Sequence, residues 1–174
     1  MKLTPVMHRY IVHWGEMGSR WGINRSVAQI HALLYLAPMP LHADEIAETL
    51  GIARSNVSVG IKELLAWELV QVTHTLGDRR DFFVAQKDPW EVIRVIVEGR
   101  KRREIDPTLA FLRNCVAELE NDTETPAEVR DRIAGQLEFL ETLTRWYESI
   151  KGLPRKTLLK MMRLGQKIAK VIGE

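Results

Sequence analysis

Six residues of the stretch "RSNVSVGIK" carry groups that can do chemistry: Arg54, Ser55, Asn56, Ser58, Val59 and Lys62. At about 100° per residue, Ser55, Ser58, Val59 and Lys62 share one helical stripe, and Val57, Ile61, Leu64 and Leu65 share the opposite one. A helix that only covered a core would usually carry longer charged side chains on its outer stripe. Small hydroxyls beside a single lysine suit close approach to another surface, and the chemistry they fit is that of a DNA duplex. Arg54 and Ser55 stand at the helix N-terminus, which itself favours an anion such as phosphate. Asn56 and Ser58 can donate to and accept from base edges, and Val59 can meet a thymine methyl. Lys62, one turn on, is placed for phosphate. A solvated surface helix is the bland alternative, and it explains one helix but not the order of elements around it.

A second group lies in "GDRRD". Arg79 and Arg80 would sit at a hairpin tip, where an arginine can enter a narrow minor groove. Asp78 and Asp81 would repel phosphate if they pointed outward, so one of them is expected to orient an arginine through a charge-assisted hydrogen bond. Charge alone argues little for nucleic acid. The chain is only +2, and between Leu41 and Asp88 eight acids face five bases, a net of −3. The placement of a few cations must therefore matter more than their sum.

The elements that would position these groups can be read from periodicity. Met7, Tyr10, Ile11, Trp14, Met17 and Trp21 recur at helical steps, and Gly22 ends that helix. Asn24 caps the next one, which carries Val27, Ile30, Leu33 and Leu34 until "APMP" stops it. A short helix over Ala43–Leu50 begins with Asp44 and Glu45, which suit its positive end, and stops at Gly51. The turn Gly51–Ile52–Ala53 leads into a helix from Arg54 to Trp67, and two helices so joined form a helix-turn-helix. The period then changes to two: "LVQVTHTL" and "FFVAQ" read as strands of a hairpin turned at Gly77. Helix-turn-helix followed by hairpin is a winged helix.

Beyond Asp88-Pro89 the pattern is helical. One long helix runs to Glu120 with a bend near Pro107, and Leu109, Leu112, Val116 and Leu119 follow heptad spacing. Pro126 opens another helix with Val129, Ile133, Leu137, Leu140, Tyr147 and Ile150. The last, from Pro154 to Ile172, is expected to bury Leu158, Met161, Met162 and Ile168. The clusters "RKRR" at residues 100–103 and the bases of the last helix read as solvated faces or as contacts to flanking DNA backbone.

Composition bounds the class. At 174 residues, 45% hydrophobic and 28% charged, the chain has a globular balance. No apolar run approaches the roughly 18–20 residues of a membrane span, and no secretory leader is evident. Cys115 is the single cysteine, which excludes an internal disulfide and leaves a small core residue as its simplest role. These points predict a cytoplasmic protein. His8, His13, His31, His42 and His74 never fall at metal-binding spacing, and no phosphate-cradling glycine loop occurs. Gly15 and Gly18 fit close helix packing instead. No enzyme, no metal and no cofactor is expected. The five tryptophans are expected to be mostly core.

"HWGEMGSRWGINRSVAQIHALLYL" together with "HADEIAETLGIARSNVSVGIKELLAWELVQVTHTLGDRRDFF" resembles the GbsR/MarR group of bacterial winged-helix transcriptional regulators, over about residues 8 to 115. The resemblance implies a mainly α fold, a MarR-like winged helix-turn-helix with a small β-hairpin wing and a helical dimerisation region. It implies Arg54 to Ser58 and Lys62 as recognition-helix contacts, and Asp78-x-Arg80 as the wing motif. Ala53 departs from relatives that carry a serine or threonine cap there, which loses a phosphate-contacting hydroxyl and about 1 kcal/mol. Some relatives govern osmoprotectant uptake or synthesis, so the resemblance implies a small-molecule effector, a quaternary ammonium osmoprotectant or its precursor, held by an aromatic cage.

The expected division is N-terminal scaffold helices over 1–40, a DNA-binding winged helix over 41–88 and dimerisation helices over 89–174. The expected function is that of a homodimeric, sequence-specific DNA-binding regulator, a repressor. Its recognition helices would lie about 10 bp apart on a pseudo-palindromic operator. The rival, favoured by the net acidic module, is a winged-helix module that binds another protein and no DNA.

Overall fold

The structure, a computed structural model, describes residues 1–172, with side chains through residue 165. Lys167, Ile168 and Lys170 lie outside the described side chains. Eleven regular elements and one π turn follow in order. Helices α1 (Pro5–Arg20) and α2 (Arg25–Leu36) lead into strand β1 (Leu41–His42), α3 (Ala43–Leu50) and α4 (Arg54–Ala66). Strands β2 (Val70–Thr73) and β3 (Phe82–Ala85) form the hairpin. Helix α5 (Pro89–Arg100), a π turn over Lys101–Ile105, α6 (Asp106–Leu119), α7 (Ala127–Ile150) and α8 (Arg155–Ile172) complete the chain. Two compact units result, Met1–Ile96 and Val97–Glu174.

Local chemistry accounts for most boundaries of the first unit. Asn24 accepts from the Ser26 N–H at 2.8 Å and starts α2. Gly51 takes φ 64° and ends α3. No side chain caps α4, since Ala53 has nothing to offer. At the other end of α4, Glu68 adopts φ 60°. Its N–H reaches Leu65 O at 2.9 Å and the Leu69 N–H reaches Leu64 O at 3.0 Å, a Schellman closure with glutamate where glycine is usual. Gly77, at φ 84°, turns the wing.

The core of this unit is assembled by α2. Ile30, Leu33 and Leu34 are fully buried with Ile46, Val57 and Val70, so α3, α4 and β2 all close on the same apolar mass. Helix α1 lies against α2 at two glycines. A Cβ on Gly18 would stand 2.5 Å from Ala28 Cβ, and one on Gly15 would stand 2.7 Å from Gln29 Cγ. Gly60 does the same for α4, where a Cβ would meet Ile30 Cδ1 at 2.6 Å. The sheet has strand order β1-β3-β2, with Leu41 opposite Phe83 and Val70 opposite Ala85, all antiparallel. The two-residue strand β1 has no counterpart in the sequence reading; it is too short to show a period.

Lys87, just past β3, reaches the C-terminal end of α2 and donates to Leu34 O, Tyr35 O and Ala37 O at 2.6–2.8 Å. That placement satisfies carbonyls the helix leaves open. Burial pushes its ammonium below the usual lysine range.

The second unit is built on α6 against α7, with Leu109 and Leu112 buried. The expected bend near Pro107 is a π turn immediately before it, in which the Asp106 N–H bonds to Lys101 O. Proline at 107 cannot donate to the carbonyl four residues back, and the wider turn absorbs the loss. Two expectations are corrected. Met161 and Met162 are 43% and 58% exposed, because an amphipathic helix buries its stripe only where something covers it. The tryptophans are not mostly core: Trp14 and Trp67 are half-buried and pack against the core edge, Trp90 is half-buried, and Trp21 and Trp146 are exposed, since helical spacing marks a face and not its depth.

Candidate nucleic-acid interface

Helix α4 is inserted by its apolar stripe, with Val57, Gly60, Ile61 and Leu64 buried. That fixes which groups remain outside. Ser55, Asn56 and Val59 are exposed, Val59 to 65%, and Lys62 is exposed one turn on. Ser58 is half-buried at the edge of the stripe. Behind Arg54, itself exposed at the first position of α4, the outward face is short and hydroxyl-bearing, with Lys62 one turn on.

A cleft of about 380 Å³ runs between α3, α4 and the wing. Arg54, Ser58, Lys62 and Arg80 line it together with His42, Asp44 and Asp81. Arg54 does not extend freely into it: its Nε donates to Asp44 Oδ1 at 2.7 Å and its Nη1 to Ser58 Oγ at 2.7 Å. The pair is more than half exposed on both sides, so it orients the guanidinium more than it stabilises the fold.

The wing arginines separate. Arg79 is exposed in the loop between β2 and β3, and neither it nor Lys62 forms an ion pair among the described residues. Arg80 folds back on its own loop. Its Nη2 and Nε donate to Asp78 Oδ2 and Oδ1 at 2.5 and 3.0 Å, and its N–H donates to Oδ1 at 3.0 Å. The expected orienting carboxylate is thus Asp78, and Asp81 instead stands 3.7 Å from His74. Hydrogen bonds from the Arg80 side chain and backbone hold the Asp78 carboxyl at about 2, well below the ordinary carboxylate value. The same bonds raise the Arg80 guanidinium. Arg80 also lies over the Phe82 ring, 5.6 Å from its centroid, and its Nη1 contacts His42 Nε2 at 2.9 Å.

This explains how a module with three excess acids can still present cations. Asp44 and Asp78 are spent on aiming Arg54 and Arg80, and Lys87 is occupied at the end of α2. Asp44, expected only as a helix-start acid, and His42 are not among the site residues that the sequence marks. The signal was there in "HADE": an acceptor, then glutamate three residues on, is a helix-start pattern. The Glu45 carboxylate does accept from the His42 N–H at 3.0 Å.

The first unit also contains an apolar cavity of about 280 Å³ with Tyr10, Trp14, Trp21, His31 and Tyr35 in its wall. Tyr10 and Trp14 stack at 5.6 Å and 8°. His31 is 6% exposed, and its Nε2 has no hydrogen-bond partner. Burial, with the nearby Lys87 charge, lowers this imidazole to about 4, so it is neutral near pH 7.

Comparison with known proteins agrees with this architecture. Residues 21–81 match the MarR family model, from the residue after α1 through the wing loop. The HTH-type transcriptional repressor GbsR of Bacillus subtilis (strain 168) is 24% identical over 136 residues, covering 76% of this chain and 75% of that one. Among solved structures, one described as a transcriptional regulator superposes with TM-score 0.67 at 15% identity, covering 85% of this chain and 97% of the other.

Proposed function

We propose that the chain is a winged-helix regulator of the GbsR/MarR type, a reading supported by the match of residues 21–81 and by the GbsR relative, and that it acts as a homodimer that binds duplex DNA in a sequence-specific way and represses transcription. The observation that carries this reading is the shared aim of two elements. The exposed Ser55, Asn56 and Val59 stand on α4, and Arg54, Ser58, Lys62 and Arg80 converge on the cleft beside it. Side chains of α4 would read base edges in the major groove, and Arg79 and Arg80 would meet the adjacent backbone or minor groove. Residues 89–174 would supply the dimer contacts, which places two copies of α4 on the half-sites of a pseudo-palindromic operator.

A mobility-shift titration across salt tests it. Affinity for duplexes selected by the protein from a randomised pool should fall steeply with salt. Asn56→Ala should relax discrimination at one base position by about 1–3 kcal/mol, and Lys62→Ala should weaken all duplexes alike. Binding that ignores salt and both substitutions would leave the protein-interaction reading in its place.

A small-molecule effector fits the aromatic cavity of the first unit. Its tyrosine and tryptophan rings suit a quaternary ammonium, and the neutral His31 in its wall does not repel one. Titrating choline and glycine betaine against tryptophan fluorescence checks this. Saturable quenching lost in Trp14→Leu supports it, and no change up to millimolar concentrations excludes it.

A further inference from the structure

Leu76 stands in the loop that joins β2 to β3, and it is 104% exposed. No other large hydrophobic side chain among the described residues exceeds 69%. Single apolar residues on a surface are ordinary, but their neighbours usually cover part of them; this one has nothing packed against it. Slackness of the loop is not the reason. The Asp78 N–H donates to Thr75 O at 3.0 Å, which closes a four-residue turn with Leu76 second and Gly77 third. Gly77 has φ 84°, and Glu68 is the one non-glycine residue with positive φ among those described. The turn is therefore of type II, with leucine at its first corner. Immediately beyond, the Asp78 carboxylate accepts from the Arg80 N–H at 3.0 Å and from Arg80 Nη2 at 2.5 Å. A slack loop could lay the leucine back on the sheet; a bonded corner followed by a clamped arginine holds it out.

The surroundings of the leucine say what it would meet. Arg79 is three residues on and Arg80 four, and both are exposed. An apolar tip between cations suits a surface with negative rims and an apolar floor, which is the minor groove: phosphates on either side, stacked bases between them. We propose that Leu76 is a wedge, which enters the minor groove beside Arg79 and inserts at a base step, partly unstacking and bending the duplex there. This rests on the DNA-binding reading and adds to it a residue that selects sequence without a hydrogen bond. Pyrimidine–purine steps, TA and CA/TG, unstack most easily, so each wing selects such a step by its deformability. A wing that touched phosphate alone would have no use for an apolar corner.

The test uses the full chain and duplexes that it selects from a randomised pool. 2-Aminopurine, a base that brightens when unstacked, replaces a base at each step outside the α4 contacts in turn. With wild-type protein one step per bound wing should brighten, and changing that step to the stiffer AA should weaken binding about tenfold. Leu76→Ser should bind the selected duplex about tenfold more weakly than wild type, brighten no step and ignore the change to AA. Leu76→Met, which returns an apolar tip, should rescue the brightening. Since nothing in the free protein packs on this side chain, Leu76→Ser should melt with the wild type, which separates a lost wedge from a lost fold. Wild-type protein that binds its duplex and brightens no step overturns the proposal, as does Leu76→Ser with undiminished affinity and step preference; the DNA-binding reading survives either result. Wild-type protein that binds no duplex at all brings down both.

Discussion

The two units of this chain are packed to different degrees. In Met1–Ile96, four elements close on α2, and six large side chains fall below 2% exposure. In Val97–Glu174, only Leu109 and Leu112 are buried hydrophobics among the described residues, and α7 runs 24 residues without burying one. Phe111, Phe139 and Trp146 are each more than half exposed there. One unit has completed its core within a single chain; the other leaves large apolar side chains open to solvent. On the proposed reading a second copy covers them, and the finished unit does the reading of DNA. Stability measurements should then report mainly the first unit, and assembly measurements the second.

The largest effect should come from charging the uncovered faces. Phe139→Glu with Trp146→Glu should convert a dimer to a monomer on sizing and weaken operator binding about a hundredfold, because two linked half-site contacts become independent. The melting of the first unit should barely move. A variant that stays dimeric breaks the comparison at its root.

Next is a pH effect confined to the finished core. The folded-state value of His31 is lowered from 6.5 to about 4. The unfolded chain thus takes up the proton first, and stability present above pH 6.5 is lost as pH falls towards 4. The loss should be about 3 kcal/mol, visible as a fall in melting temperature that His31→Phe abolishes. A flat profile in wild type would mean that the imidazole is reached by water.

Smaller still is the helix contact. Gly18→Ala should cost about 2 kcal/mol in denaturant melts, since the new methyl meets Ala28 Cβ and neither can rotate away. Gly60→Ala should cost less, because its only close clash is with the far end of Ile30, Val27 standing at ordinary contact distance. Equal costs would show that α1 can shift on α2. At the bottom of the scale, the Glu128–Arg132 pair on α7 is about three-quarters exposed. Arg132→Ala should change stability by less than about 0.5 kcal/mol.

The same contrast governs what could be read from the sequence. In the first unit local and global signals agree: Asn24, Gly51 and Gly77 stand where the backbone needs a cap or a positive φ, and Val57 and Ile61 follow the period of a half-buried helix. The helix-turn-helix was therefore legible to within a residue or two, while the first wing strand, expected over residues 69–76, ends already at Thr73. What escaped was any contact between residues far apart in the chain. Lys87 closing α2, and His42 meeting Arg80, are 38 or more residues from their partners. Neither has a local pattern. Asp78 could be foreseen because it is two residues from the arginine it holds. In the second unit the helices were legible but their burial was not. Periodicity names the face that seeks cover, and Met161, Met162 and Trp146 find none within one chain.

Glu68 is the joint between α4 and the wing. A non-glycine residue in a left-handed conformation has few alternatives nearby, and it carries about 1 kcal/mol of strain to be there. With Val70 already in the sheet, the joint leaves no slack: a tilt imposed on α4 is passed to β2 and on to the loop that bears Arg79. Helix and wing would thus arrive at a duplex as one rigid tool, unable to search for their grooves separately, and tolerance for altered groove spacing would have to come from the duplex.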